Sequence, residues 1–177
     1  MAPAVDDASV PSILNEVGFE PPPGYLVNTV VPRTSSLLAL LLLSDSRRRV
    51  VIIEKIDGRW RLPTMQMESP WDPNHPRPDV TDELNGIAQL STSRYSTADP
   101  AWAHAGDRAP ETAWIAVTGV AAWDAEGVMI RTAGDRHAAP VAASGIFVGL
   151  VRGRWSERPR MTVQTTGLDF VDIIRPG

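Results

Sequence analysis

Residues 50–70 read VVIIEKIDGRWRLPTMQMESP, and they carry the strongest structural signal in the chain. The apolar run at 50–53 predicts a buried β-strand, and Asp57-Gly58 predicts a tight turn after it. An earlier apolar run, at 36–43, is joined to this strand by SDSRRR, which we interpret as a solvated polar turn. Neither run alternates between apolar and polar residues, so we expect both strands to be covered on two faces. Residues 36–63 should form a hairpin and a following strand, with Trp60 and Leu62 on opposite faces.

The segments that flank this hairpin predict a short helix and two connectors. A helix is expected within residues 11–19, because Pro11 suits its first turn and Gly18 can end it. EPPPG, at 20–24, is typical of a stiff connector. SPWDPNHPRP, at 69–78, contains four prolines and is therefore predicted to be a loop.

A second helix is predicted at 78–90, PDVTDELNGIAQL. Acidic residues crowd its first turns, although Asn85-Gly86 weakens its middle. Three apolar residues fall on one helical face, which we expect to pack on the sheet: Val80, Leu84 and Ile87.

The rest of the chain is predicted to be irregular first and rich in strands afterwards. Residues 91–112 are polar and irregular, and residues 133–144 are predicted to be a loop. The candidate strands are AWIAVTGVAAW, GVMIR, GIFVGLV, MTVQT and DFVDII. We expect one α+β domain with a mixed sheet at 25–177, preceded by a tail, short helix and Pro-rich connector at 1–24.

The composition limits the classes of function. The chain has 177 residues, no cysteine and a net charge of −4. The lack of cysteine excludes disulfides, thiolate zinc sites and cysteine nucleophiles, and it is compatible with a cytoplasmic location. The acidic balance argues against a nucleic-acid or anionic membrane partner. The leucine-rich run at 37–43 is too short to span a bilayer, and the acidic N-terminus lacks the apolar core of a secretory signal.

The order of hairpin, DGRWRLP, loop and acidic helix resembles the Nudix hydrolase superfamily, over roughly residues 36–90. Trp60, Leu62 and Pro63 match the end of the family's Trp-x-Leu-Pro-Gly-Gly strand, whereas Thr64 and Met65 stand in place of the glycine pair. The resemblance implies an α/β/α sandwich, with a mixed sheet, a metal-binding helix packed on it and a β-rich C-terminal half. It also implies hydrolysis of a nucleoside diphosphate linked to another group, weak or lost here because the box is degenerate.

The acidic helix is the part of the resemblance that would hold a metal ion. Asp79, Asp82 and Glu83 take the places of the family's glutamates, and their i, i+3, i+4 spacing puts three carboxylates on one helical face. Mg²⁺ or Mn²⁺ would be held by these oxygens together with substrate phosphates. The alternative is that the acidic residues only stabilise the N-terminal end of a solvated helix.

The remaining candidate site residues flank that helix. Glu68 is the candidate general base in the loop, and Glu83 is the second candidate catalytic carboxylate. Arg59 or Arg61 could bind a phosphate, and Trp71 could stack on a nucleotide base.

Tryptophans provide a separate signal. Four of them lie in or beside polar loops, where an exposed indole can stack on a base or occupy a partner's pocket: Trp71, Trp102, Trp123 and Trp155.

Two functions therefore remain open. The first is a metal-dependent hydrolase of nucleotide-like small molecules. The second is a non-catalytic module that binds nucleotides or other proteins on the same scaffold. A homodimer is compatible with either function.

Overall fold

The computed structural model describes residues 5–62, 67–95 and 111–173. Over these residues the chain forms two compact units, one from 5–62 and 67–73, the other from 74–95 and 111–173. The division into a 1–24 segment and one domain at 25–177 stays a prediction. Within the described ranges, no helix combines the length and the apolar character needed to cross a membrane.

The first unit is an antiparallel sheet with one short helix. A 3₁₀ turn at Asp7–Ser9 leads into helix α1 (Val10–Glu16). The strands are β1 (Leu26–Thr34), β2 (Leu37–Leu43), β3 (Arg47–Ile56), β4 (Arg59–Arg61) and β5 (Met67–Pro70). Their order is β1-β2-β3-β4, and β5 also pairs with β3. The predicted hairpin is confirmed, since β2 and β3 pair antiparallel with Leu38 opposite Ile53.

Continuous apolar sequence in β2 and β3 produces burial on both faces of the sheet. Leu41 and Leu42 are consecutive, so their side chains point to opposite faces, yet they are only 1% and 0% exposed. On the Leu42 face, Ile13 of α1 packs against the sheet. Trp60 and Leu62 both pack against this same cluster, so the prediction that they face opposite sides is wrong. Residues two apart in extended chain share a face.

The second unit consists of two antiparallel sheets. Its strands are β6 (Ile87–Tyr95), β7 (Thr112–Ala121), β8 (Ala125–Arg131), β9 (Arg136–Pro140), β10 (Ile146–Arg154), β11 (Arg160–Thr165) and β12 (Phe170–Ile173). One sheet has the order β10-β7-β6 and the other β12-β11-β8-β9. All five candidate C-terminal strands are present. The irregular segment predicted at 91–112 instead continues β6 as far as Tyr95, and the loop predicted at 133–144 contains β9.

Alternate residues from the two sheets form one core, which makes this unit a β-sandwich. Ile115 and Val151 from one sheet meet Ile130 and Met161 from the other. The sheets approach each other closely at Gly149, where a Cβ atom would lie 2.0 Å from Ile130 Cδ1. A glycine is needed here for space and not for an unusual backbone angle.

The predicted helix at 78–90 is absent, so the expected α/β/α sandwich with a mixed sheet and a packed helix is wrong. Residues 78–86 form bends and turns, and β6 begins at Ile87. The carboxylate of Asp82 accepts hydrogen bonds from the backbone N–H groups of Leu84 (2.8 Å) and Asn85 (2.6 Å). Such side-chain bonds compete with helix formation. Val80 and Leu84, predicted to be buried, are 61% and 67% exposed.

Candidate functional site

The predicted metal ligands do not share a helical face, because they lie in the irregular chain before β6. Asp79, Asp82 and Glu83 are all exposed. The two backbone N–H groups that bond to Asp82 lower the pKa of its carboxyl. In the part of the chain that the structure describes, no three histidine or acidic side chains are close enough together to hold a metal ion. Binding of Mg²⁺ or Mn²⁺ by these residues therefore stays a prediction, without the helical geometry from which it was made.

Glu68, the candidate general base, lies in β5 within a hydrogen-bonded cluster. Its Oε1 accepts from Tyr25 Oη at 2.7 Å and from Arg49 Nε at 3.0 Å, and Arg49 Nη2 completes an ion pair with it. The hydrogen bond from Arg49, followed by that from Tyr25, lowers the pKa of Glu68. A lowered pKa opposes the uptake of a proton, so this geometry suits an ionic link among β1, β3 and β5 better than a base.

The predicted substrate-binding residues lie far apart in the first unit. Arg61 pairs with Glu54 on β3, whereas Glu68 pairs with Arg49 on the same strand. Five residues of extended chain separate these two positions, or about 17 Å. Arg59 and Arg61 are exposed, and the backbone N–H of Trp71 donates to the Ser46 carbonyl at 3.0 Å. Two further parts of the predicted site, Pro63 and the Thr64-Met65 pair, lie outside the described residues.

The RRR sequence that was interpreted as a solvated turn begins β3, and its middle residue is buried. Arg48 is 4% exposed, its Nε donates to Ser69 Oγ at 2.7 Å, and its guanidinium lies 5.8 Å from the Trp71 ring. Burial lowers the pKa of Arg48 to about 10. Nη1 of Arg48 has no hydrogen-bond partner in the described structure. The sequence signal for this burial is the alternation of side chains along the strand, which begins at Arg47, two residues before the predicted start at Arg49.

In the second unit, Arg77 fastens the segment that precedes β6 to the sandwich. Its guanidinium donates to the carbonyl oxygens of Ala121 (2.8 Å), Ala122 (2.8 Å) and Ala143 (2.9 Å). The guanidinium also stacks over the ring of Trp123, 4.2 Å from its centroid. The guanidinium of Arg77 already donates to three backbone carbonyls, and its side chain packs against Gly145. Arg77 therefore has a structural role and is not available to bind a phosphate.

A second anchor lies a few residues further along the same segment. Asp124 Oδ1 accepts from both the backbone N–H and the hydroxyl of Thr81, at 2.8 and 2.7 Å. The backbone N–H of Trp123 donates to the Pro78 carbonyl at 3.1 Å, and that of Thr166 donates to the Asp124 carbonyl at 2.8 Å. These bonds bring residues 78–86, the β7–β8 turn and the β11–β12 turn together at one end of the sandwich.

This end carries most of the large apolar side chains that the described structure exposes. The other two of the seven, Leu26 and Val27, lie on β1 of the first unit. We call the remaining five the apolar end: Val80, Leu84, Trp123, Leu168 and Phe170. Their exposure ranges from 61% for Val80 to 71% for Leu168. Clustered exposure of this kind is typical of a surface that another molecule covers.

Exposed acidic residues lie close in sequence to the apolar end. Five carboxylates on the same three segments, or on the strand that follows the β7–β8 turn, are exposed: Asp79, Asp82, Glu83, Glu126 and Asp169. The nearby arginine, Arg77, already donates to backbone carbonyls. The surface therefore combines apolar contacts with negative charge.

Sequence patterns had indicated these residues for other reasons. The helical pattern predicts burial for Val80 and Leu84, and a metal site for Asp79, Asp82 and Glu83. Trp123 was recognised from its position beside a polar loop, while Trp102, which has the same signal, lies outside the described residues. Comparison with protein-family models, with curated proteins and with solved structures found no match to this chain.

Proposed function

We propose that this chain is a non-catalytic protein-interaction module, whose apolar end binds an apolar segment of a partner polypeptide flanked by lysine or arginine. The observation that carries the proposal is the collection of five large exposed apolar side chains on three segments held together by hydrogen bonds. The five exposed carboxylates on or beside these segments support a basic partner through charge complementarity. A cytoplasmic location belongs to the same proposal.

The hydrogen bonds that join the segments of this surface favour binding. Arg77 and Asp124 each join the segment before β6 to the β7–β8 turn, so few of the contacting groups need to be ordered when a partner binds. Trp123 is the expected centre of the interface, because tryptophan is enriched among residues whose removal costs about 2 kcal/mol or more of binding energy.

The other functions inferred from sequence have less geometric support. Hydrolysis would need a metal site for which the carboxylates are not arranged, and a base whose pKa is lowered. Nucleotide binding at Arg59, Arg61 and Trp71 stays a prediction.

Selection of peptides from a random display library tests the proposal without knowledge of the natural partner. Peptides selected on the native chain should lose binding to a Trp123→Ala/Leu84→Asp double variant by tenfold or more. They should bind normally to Leu26→Asp, the matched control, because Leu26 is at least as exposed as Leu84 but lies in the first unit. Equal binding to the native chain and to the double variant would contradict the proposal.

A further inference from the structure

Three arginines occupy adjacent cross-strand positions in the second sheet of the sandwich. Arg131 of β8 lies opposite Arg136 of β9 on one side and opposite Arg160 of β11 on the other. All three are exposed, and they share the face that points away from the core, because Ile130 and Met161 point inward. Side chains at such positions have Cβ atoms about 4.5–5.5 Å apart. We call these residues the arginine row.

Like charges at directly opposite positions of a sheet destabilise it. Arg131 and Arg160 form such a contact, so this pair has a cost that a bound anion would reduce. No ion pair with a carboxylate involves Arg131 or Arg160 among residues 5–62, 67–95 and 111–173.

The central arginine is held in place by a buried hydroxyl. Arg131 Nη2 donates to Thr162 Oγ1 at 2.8 Å, and the Thr162 hydroxyl donates to Asp172 Oδ1 at 2.6 Å. We call these two hydrogen bonds the Thr162 relay. Thr162 is only 6% exposed, so the relay lies beneath the Arg131 guanidinium. Within the described parts of the chain, no acceptor bonds to Nε or Nη1 of Arg131. The guanidinium is thus positioned while most of its donors face solvent.

We infer that the arginine row is a binding site for a phosphate group of a small molecule. A phosphate carries up to two charges and three terminal oxygens in a compact group, so one group can bond to two or three guanidiniums. A carboxylate has one charge and two oxygens, and it satisfies a single guanidinium. Beside the row, Met129 and Ala138 form a low surface on which the rest of the molecule can lie. This site is separate from the residues proposed to bind a protein, and it does not depend on them.

The test is a titration with inorganic pyrophosphate at constant ionic strength, followed by the NMR signals of arginine Nε–Hε groups. The native chain should show saturable shifts, and Arg131→Gln should weaken the affinity by tenfold or more. Arg160→Gln, which leaves the Thr162 relay intact, should weaken it by at least threefold. The matched control is Arg47→Gln, an exposed arginine on β3 of the first unit, which should leave the affinity unchanged.

Parallel titrations identify the source of the phosphate group. Tighter binding of ATP than of pyrophosphate would assign the site to a nucleotide, and equal or weaker binding of ATP would assign it to free phosphate groups. Equal affinity in Arg131→Gln and Arg47→Gln would overturn the inference. Succinate that binds as tightly as pyrophosphate, or shifts that sodium chloride reproduces, would overturn it as well.

Discussion

Replacement of Gly149 by alanine tests whether the two sheets of the second unit pack as a sandwich. The added Cβ would lie 2.0 Å from Ile130 Cδ1, 3.3 Å from Ile130 Cγ1 and 3.5 Å from the Cβ of Ala139. Ile130 is fully buried, so its terminal methyl group has no free space into which it can move. Gly149 has no left-handed backbone angle, and the cost is therefore steric.

Two opposing contributions set the size of the effect. Overpacking of a buried position costs about 1–3 kcal/mol. Alanine also restricts the unfolded chain more than glycine does, and this raises the free energy of unfolding by about 0.4–1 kcal/mol. We expect Gly149→Ala to lower the free energy of unfolding by about 1–2 kcal/mol, a fall in Tm of about 2–4 °C per kcal/mol for a chain of this length.

A second substitution identifies the contact responsible. Ile130→Val removes Cδ1 and should cost about 0.5–1.5 kcal/mol alone. In the double variant the nearest remaining atom is the one at 3.3 Å, so the double variant should be at least about 1 kcal/mol more stable than the sum of the single effects. The matched control is Gly127→Ala, whose Cβ would meet no atom closer than 3.7 Å and should cause little change.

Urea denaturation followed by circular dichroism and by tryptophan fluorescence measures these differences, provided that the m-values are unchanged. If Gly149→Ala is tolerated as well as Gly127→Ala, or if the two substitutions are additive, the close packing of the two sheets at this point is wrong.

Further substitutions test the polar contacts of both units. The pKa of Glu68 is lower in the folded chain than in the unfolded chain. The ionised carboxylate therefore stabilises the folded chain at pH values above the unfolded-state pKa, and this stabilisation is lost as the pH falls through the folded-state pKa. Glu68→Gln should thus flatten the decline in urea midpoint between pH 7 and about pH 3, and parallel curves would contradict the ionic link. Arg77→Ala should cost about 2–4 kcal/mol in urea denaturation, because it removes three charge-assisted bonds to carbonyls, whereas exposed Arg61→Ala should stay within about 0.5 kcal/mol of the native chain. Ser69→Ala should lower the free energy of unfolding by about 1–3 kcal/mol, because it leaves Nε of buried Arg48 without a hydrogen bond. Arg48→Met removes the buried charge and should be nearly neutral. A larger loss in Arg48→Met than in Ser69→Ala would contradict the interpretation that the buried charge of Arg48 is itself unfavourable.

The sequence by itself determined the strands whose burial does not depend on distant partners. The continuous apolar runs at β2 and β3 predicted strands covered on two faces, and the burial of consecutive Leu41 and Leu42 agrees with this. The five apolar C-terminal segments were also recognised, since local hydrophobicity and polar turns are sufficient to mark strands. Trp123 was recognised as a candidate contact residue from its polar surroundings.

Tertiary contacts, which the sequence pattern did not reveal, positioned residues 78–86 and thereby the candidate site. Their pattern of acidic and apolar residues suits a helix, but helix propensity is a weak local preference. Here the segment instead bonds to Asp124, more than forty residues away, and to the β7–β8 turn. These bonds, together with the side-chain turn at Asp82, replace the helix and leave Val80 and Leu84 exposed.

The arginine row has the same origin in tertiary structure. Arg131, Arg136 and Arg160 become neighbours only through the pairing register of β8 with β9 and β11. A sequence pattern shows which residues would share a face if a given element forms. It does not show which distant strand will lie beside that element, because pairing is decided by the packing of the whole core.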